Sequence, residues 1–318
     1  MSEMGVPHRF LDIAKATRAP RALSESGLSE RFGPPDQVDV VLGQVWRARW
    51  TEVSVLVLVL AVEGRDVQAA PVTIDPPAED DRSLVVDGSS TAFGVDATAW
   101  AGLVSAVPVR VLERLVDVWT EEQVRWVVSM ARGEPQQAPL ASRRGREIRS
   151  ELDPVALFRA EIADDLELLR KAPALPVETP GAAPRTLASL LGEDIDLVVL
   201  GALLGLRQPE VMKLLRGKVA VSPKQMELIA KRTGLTVDSL AETVRPLPLG
   251  LAMAAEHPRW RPTWVQRSRD FRIGEYEARL SGSYGAFALA ARETGRREPD
   301  WDQRLRQYLQ NERDVGGT

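Results

Sequence analysis

Hydrophobic positions change rhythm several times along this chain. Leu11, Ile13, Ala14, Leu23 and Leu28 follow a broken helical spacing interrupted at Pro20, and Gly33-Pro34-Pro35 ends it because proline cannot continue a helix. From residue 38 to 118 the pattern becomes short runs of Val, Leu, Thr and Trp between Gly, Pro and Asp clusters, the punctuation of β-strands. The spacing predicts strands over 43–49, 54–62, 67–74, 83–86 and 109–112, with Glu63-Gly64-Arg65-Asp66 as a hairpin connection. A handful of short antiparallel strands hides its edges best by closing, so a small barrel or strongly curved sheet is expected. A helix over 121–132 trails it, with Thr120 as N-cap and Val124, Val127 and Val128 on one face. Residues 133–149 read as a polar linker, and 152–171 as an amphipathic helix through Leu157, Ile162, Leu166 and Leu169. Residues 173–184, with Pro173, Pro176, Pro180 and Pro184, read as a semi-rigid spacer.

Beyond the spacer, five short helical periods follow, each with its own start and stop. The first covers 187–191; Asp196 caps a second through Leu204, and Gly205 ends it as a glycine tolerant of left-handed backbone. The third runs from Gln208 with Pro209 in its first turn and closes at Gly217. Ser222-Pro223 opens the fourth, which stops at Gly234, and Thr236 caps the fifth, containing Val237, Leu240 and Val244. The chain is thereby divided into a helical segment (1–36), a strand-rich domain with its helix (37–132), a linker region (133–184), a five-helix domain (185–245) and a C-terminal helical arm (246–318). The arm's clearest helices are expected over 283–294 and 300–311.

The run Leu200-Gly201-Ala202-Leu203-Leu204-Gly205-Leu206, followed by Val211, Leu214 and Arg216-Gly217-Lys218, resembles the Cro/repressor family of helix-turn-helix proteins. The resemblance spans the whole five-helix domain and implies that the second helix of the motif enters the major groove of DNA. It places Arg207, Gln208, Glu210 and Lys213 against base edges, and Arg216, Lys218 and Lys224 on phosphates. One departure concerns the start of the motif's first helix, where the family often carries a phosphate-contacting polar residue and this chain has Asp194, Asp196 and Leu197. Symmetric operators pair with symmetric proteins, so a homodimer on double-stranded DNA is expected.

In the strand-rich part, Gly43-Gln44-Val45-Trp46, the apolar stretch 55–59 and Ala70-Pro71-Val72-Thr73 are similar to the MazF/PemK-like toxins, SH3-like barrels that cleave RNA in toxin–antitoxin systems. Thr73 matches that family's hydroxyl. Its arginine has no counterpart, because Thr51-Glu52-Val53-Ser54 stands in its place, so the cation that stabilises developing charge is missing. The reading is a degenerate barrel used for dimer or partner contacts and not an enzyme; the alternatives are a ribonuclease fused to its own autoregulator, and an adaptor in a defence complex. Trp46, Trp50, Trp100 and Trp119 are expected to fill the barrel core, and Glu79-Asp80-Asp81 to form a solvated turn.

Composition narrows the rest. With no cysteine and only His8 and His257, neither a thiolate nor a histidine metal site has material, and no cofactor is expected. The longest apolar run, 53–62, falls far short of the roughly 20 residues that cross a bilayer, and residues 1–10 lack the pattern of a secretory signal, so a cytoplasmic protein is expected. A net charge of −4 excludes a protein that coats nucleic acid through bulk charge and directs attention to local patches. One such patch interleaves His257-Pro258-Arg259-Trp260-Arg261-Pro262-Thr263-Trp264 and continues through Arg267 and Arg269. Arginine among tryptophans suits an auxiliary nucleic-acid arm; the competing reading is a Trp-anchored packing segment whose arginines pair with Glu256, Asp270, Glu275 and Glu277. The fold class is thus α+β and multidomain: a small SH3-like barrel, an all-α helix-turn-helix domain and C-terminal helices.

Overall fold

The computed structural model describes residues 20–74, 78–134, 136–148, 150, 153–178, 186–192, 196–290 and 299–316, with side chains to residue 312. The chain is α+β and divides into two compact units, residues 1–172 and 173–318. His8 and Asp194 lie outside the described residues.

The first unit is built on eight antiparallel strands: β1 (Gln44–Trp50), β2 (Val53–Glu63), β3 (Asp66–Thr73), β4 (Ser83–Val86), β5 (Ala97–Trp100), β6 (Ser105–Pro108), β7 (Leu112–Val118) and β8 (Ser142–Arg144). Two-residue turns join β1 to β2 and β2 to β3, and Gly64 supplies the positive φ that the second requires. The pairing order is β7-β1-β2-β3-β5-β4-β8, and β3 gives the other half of its outer edge to β6. This hydrogen-bonded path is open, where strand number and length predict closure. The edges are protected by other means. Arg31, from helix α1 (Glu25–Phe32), donates to the Val116 carbonyl at 3.1 Å and pairs with Asp117 at 2.9 Å, which blocks the β7 edge. The opposite edge, β8, is only three residues long and carries Arg143 and Arg144.

Alternating residues of the strands serve two cores. Val45, Leu58, Ala70 and Leu84 pack with Trp126 and Val127 of α2 (Glu121–Ala131). Trp46, Val57, Ala69 and Trp100 pack with Ile162, Leu166 and Leu169 of α3 (Pro154–Arg170). A strand covered on both faces has no polar side, which is why β2 is apolar without a break over 55–62.

Sequence reading places 133–171 in a linker region, but the structure gives that stretch to the sheet: it supplies β8 and α3, and Arg110 closes the unit by donating twice to the Ala172 carbonyl, at 3.0 and 2.7 Å. Of the supposed solvated turn, Glu79 and Asp80 are buried, and Asp81 stays half-exposed. Glu79 pairs with Arg143 and Arg146, each at 2.6 Å, and Asp80 accepts from the Ser83 hydroxyl at 2.6 Å and faces Arg159 at 3.4 Å. These acids hold β8 and α3 against the sheet. Residues 109–112 form a short 3-10 turn leading into β7 instead of a strand of their own.

The second unit consists of α4 (Leu187–Leu191), α5 (Leu197–Leu204), α6 (Gln208–Leu215), α7 (Pro223–Thr233), α8 (Val237–Ala241), α9 (Leu249–Glu256), α10 (Arg261–Phe271), α11 (Glu275–Ala290) and α12 (Trp301–Gly316). Local chemistry fixes the first five. Thr186, Asp196, Ser222 and Thr236 accept N–H groups of the turns they cap, and Gly205, Gly217 and Gly234 end helices at φ of 65°, 62° and 75°. Among the described residues, these nine helices share one hydrophobic core that runs from Leu187 to Leu309. The helices within 249–290 and 301–309 therefore contribute to this core and are not a separate arm. The proximal spacer is anchored too: the Leu247 N–H donates to the Pro176 carbonyl at 2.9 Å, and the Leu175 N–H to buried Glu256 at 2.7 Å.

Helix α11 starts eight residues earlier than its hydrophobic pattern predicts, because its middle is Ser281-Gly282-Ser283. The glycine is required by packing. A Cβ at Gly282 would lie 2.6 Å from the ring of Trp264, which is fully buried and fixed by its indole N–H donating to the Ala255 carbonyl at 2.8 Å. Alanine would gain about 1 kcal/mol of helix propensity, and overpacking costs about 1 to 3 kcal/mol. With Trp264 unable to yield, Gly282→Ala is expected to destabilise the helical unit by about 1 to 2 kcal/mol, read from its denaturant midpoint; an unchanged midpoint would show that the ring can move.

Candidate nucleic-acid interface

Helices α5 and α6 are joined by Gly205-Leu206-Arg207 and press together at Gly201, where a Cβ would stand 2.9 Å from the Leu206 carbonyl. That carbonyl approach, and the Leu206 N–H donating to the Gly201 carbonyl at 2.9 Å, set the turn. Val211, Leu214 and Leu215 are buried beneath α6, which leaves Arg207, Gln208, Glu210, Lys213 and Arg216 exposed along its outer side. Lys218 and Lys224 are exposed beside them. Glu210 has a further commitment: its Oε2 accepts the Arg207 N–H at 2.8 Å, so the carboxylate caps α6. The spacing from Arg207 to Glu210, three residues apart at a helix start, carries that signal in the sequence, although it was read there as a base contact.

The start of α5 is closed to an anion. Asp196 Oδ1 accepts the N–H groups of Val198 at 2.9 Å and Val199 at 3.1 Å, so the first-turn donors already face a carboxylate. Leu197 turns toward the core, and Val198 is 81% exposed. The Val198 and Val199 N–H groups are thus not offered to a backbone phosphate.

Charge separates this region from the rest of the molecule. Residues 207–232 carry Arg207, Lys213, Arg216, Lys218, Lys224, Lys231 and Arg232 against Glu210 and Glu227, a local excess of five positive charges in a chain whose net charge is −4. Among the described residues, none of these seven cations is ion-paired. Arginines of the sheet unit are engaged instead: Arg31 with Asp117, Arg47 with Glu113, and Arg143 and Arg146 with Glu79.

The Arg/Trp segment at 257–269 is turned inward. Trp264 is buried, Trp260 donates its indole N–H to Asp302 at 2.9 Å, and Arg259 pairs with the same carboxylate at 3.2 Å. Arg261 pairs with Glu275 at 3.3 Å, and Arg267 with Glu312. Only Arg269 of the four arm candidates is exposed, so three of them have their charge spent on packing. Tyr284 donates its hydroxyl to the Arg245 carbonyl, and burial pushes its phenol above the ordinary tyrosine range, which keeps the donor proton in place. This bond joins α11 to the end of the α8 segment.

In the sheet unit, the Thr73 hydroxyl accepts the indole N–H of buried Trp100 at 3.0 Å. Trp46, Trp100 and Trp119 are buried and Trp50 is half-buried, as core-filling requires. Among the described residues no group of His, Asp and Glu could hold a metal ion, and no helix is long and apolar enough to cross a membrane.

The inward pairing separates the arm arginines by experiment. Arg261→Ala strips a nearly buried guanidinium from Glu275, which retains Arg279 at 2.5 Å, and is expected to cost about 1 to 3 kcal/mol of stability. Arg269→Ala is expected to stay within about 0.5 kcal/mol of the wild type in the same denaturation measurement. Equal effects would mean that the Arg261 pair is not part of the packing. No family model matches this chain, and no curated protein matches it.

Proposed function

We propose that the second unit is a repressor-type helix-turn-helix domain that lays α6 in the major groove of double-stranded DNA, making the protein a sequence-specific transcriptional regulator. The observation that carries this reading is the set of cations Arg207, Lys213, Arg216, Lys218 and Lys224, without ion pairs among the described residues, on and beside an exposed helix seated at Gly201. Cations left without internal partners raise the local potential and release counterions when they meet phosphates. Arg207 and Gln208 face outward at the N-terminal end of α6, where arginine suits guanine and glutamine suits adenine, and Lys213 is exposed in its last turn. Arg216, Lys218 and Lys224 take the phosphates. Glu210 is a positioning residue that fixes the start of α6 through the Arg207 N–H. Because Asp196 closes the start of α5, the phosphate grip comes from the C-terminal side of α6 and from α7.

A random-library DNA selection with the full chain is expected to return one preferred sequence. Arg207→Ala and Gln208→Ala should each weaken binding to it by about 1 to 3 kcal/mol and relax preference at one base pair. Lys218→Ala and Lys224→Ala should weaken all sequences alike and make the slope of log K against log salt shallower by about 0.9 per contact removed. Enrichment of no sequence, or equal losses on random DNA for the Arg207 and Gln208 variants, would refute base reading.

The sheet unit, in this reading, is a partner-binding module of SH3-like descent without ribonuclease activity. Its Thr73 hydroxyl serves Trp100, and the β1–β2 turn presents Glu52 where catalysis needs a cation. Mixed single-stranded RNA incubated with the protein is expected to remain intact on a denaturing gel. Cutting that vanishes in Thr73→Ala would restore the enzyme.

A further inference from the structure

The fold adds to the basic end of α6 a cation that no motif in the sequence points to. Arg245 follows the last of the five short helices, yet it stands against Gly217, where an added Cβ would lie 3.5 Å from the Arg245 Cβ. Gly217 sits between Arg216 and Lys218, so Arg245 joins those two cations just past the C-terminal end of α6. Helix α11 holds the residue at both ends: the Tyr284 hydroxyl donates to its carbonyl, and its guanidinium stands 4.9 Å over the ring of Phe287. Tyr284 and Phe287 are three positions apart on that helix and therefore share a face. Among the described residues, three arginines stand over a phenylalanine ring. Arg31 also pairs with Asp117, and Arg267 with Glu312, whereas Arg245 is exposed and meets no carboxylate among the described residues.

We propose that Arg245 is a further contact to the DNA backbone, a phosphate ligand presented by α11. This deepens the proposed function and rests on it. A guanidinium stacked on a ring keeps its N–H donors at the edge of its plane, where they suit two oxygens of one phosphate. A carboxylate partner would have consumed those donors; the ring orders the side chain and leaves them open. Arg245 lies at the end of α6 opposite Arg207 and Gln208, beside residues assigned to phosphates, so its contact carries no base preference. Phe287 is a positioning residue that acts on DNA only through Arg245. Its own ring is braced by Trp301 of α12, with centroids 6.4 Å apart. The C-terminal helices thereby contribute to the grip on DNA through a residue outside them, although most of their own arginines are spent on packing.

Binding of the full chain to its selected duplex and to a random duplex, over a series of salt concentrations, tests the contact, with Lys218→Ala as the reference variant. Arg245→Ala is expected to weaken both duplexes by roughly tenfold and to make the slope of log K against log salt shallower by about 0.9, with base preference unchanged. Arg245→Lys should keep the slope and lose part of the affinity, because the charge stays and the stacked plane is gone. Phe287→Leu should weaken binding in the wild type and have no effect on it in the Arg245→Ala background, a pattern that a merely structural role would not give. Were a melting curve to show Arg245→Ala unfolded, Arg245→Gln, which keeps the length of the side chain, would carry the test. Wild-type affinity and slope in the Arg245 variant would overturn this contact, and a falling slope in Lys218→Ala would then leave the DNA reading standing. A changed preference at one base pair would overturn the phosphate assignment. A chain that binds duplexes without preference would remove base reading alone, since the Arg245 slope is still read on random DNA, and a chain that binds no duplex would remove both proposals.

Discussion

The approach of the Leu206 carbonyl to the Gly201 backbone governs what α6 can present. A methyl group at Gly201 would stand 2.9 Å from that oxygen, so any other residue would pry the two helices apart. Val211 and Leu214 lie against the same seat, and Gly205 supplies the left-handed turn that returns the chain to it. With this contact made, the outward positions of α6 are fixed by helical geometry, and the cap from Glu210 fixes the first turn. Groups that meet base edges have to be held in place before binding, since ordering them afterwards would cost affinity.

The nine-helix core extends that rigidity. Trp264 enters the notch at Gly282, Tyr284 reaches the Arg245 carbonyl, and Glu256 receives the Leu175 N–H. The C-terminal helices thus brace the α8 end of the domain and the segment that leads into it from residue 175. A five-helix domain alone buries little apolar surface, and the added helices enlarge its core.

Distribution of charge gives the molecule its division of labour. In the sheet unit and in α10 to α12, arginines are drawn to carboxylates: Glu79 gathers two, Asp302 takes Arg259, and Glu275 takes Arg261 and Arg279. In residues 207–232 the acids are too few, and the cations face water. An acidic protein can in this way keep one basic surface, with the acidic remainder limiting nonspecific attachment.

The five helices of residues 186–244 were legible in sequence because their starts and stops are local chemistry: a side-chain oxygen for free N–H groups, a glycine for a left-handed turn. Strands β1 to β4 were legible for a similar reason, since residues with strand period and clear breaks need no distant partner to be recognised. Other features depend on residues far away in the chain. β5 and β6 are four residues each, and β8 is Ser-Arg-Arg, so only their pairing makes them strands. The Arg/Trp segment has the composition of a nucleic-acid arm, and its role was decided by Asp302 and Glu312, more than forty positions downstream of the arginines they neutralise. Sequence thus fixes which backbone stretches are helical or extended, since those preferences act within a few residues. Tertiary structure alone decides which charges remain free, because a charge is cancelled by whatever the fold brings within about 4 Å of it.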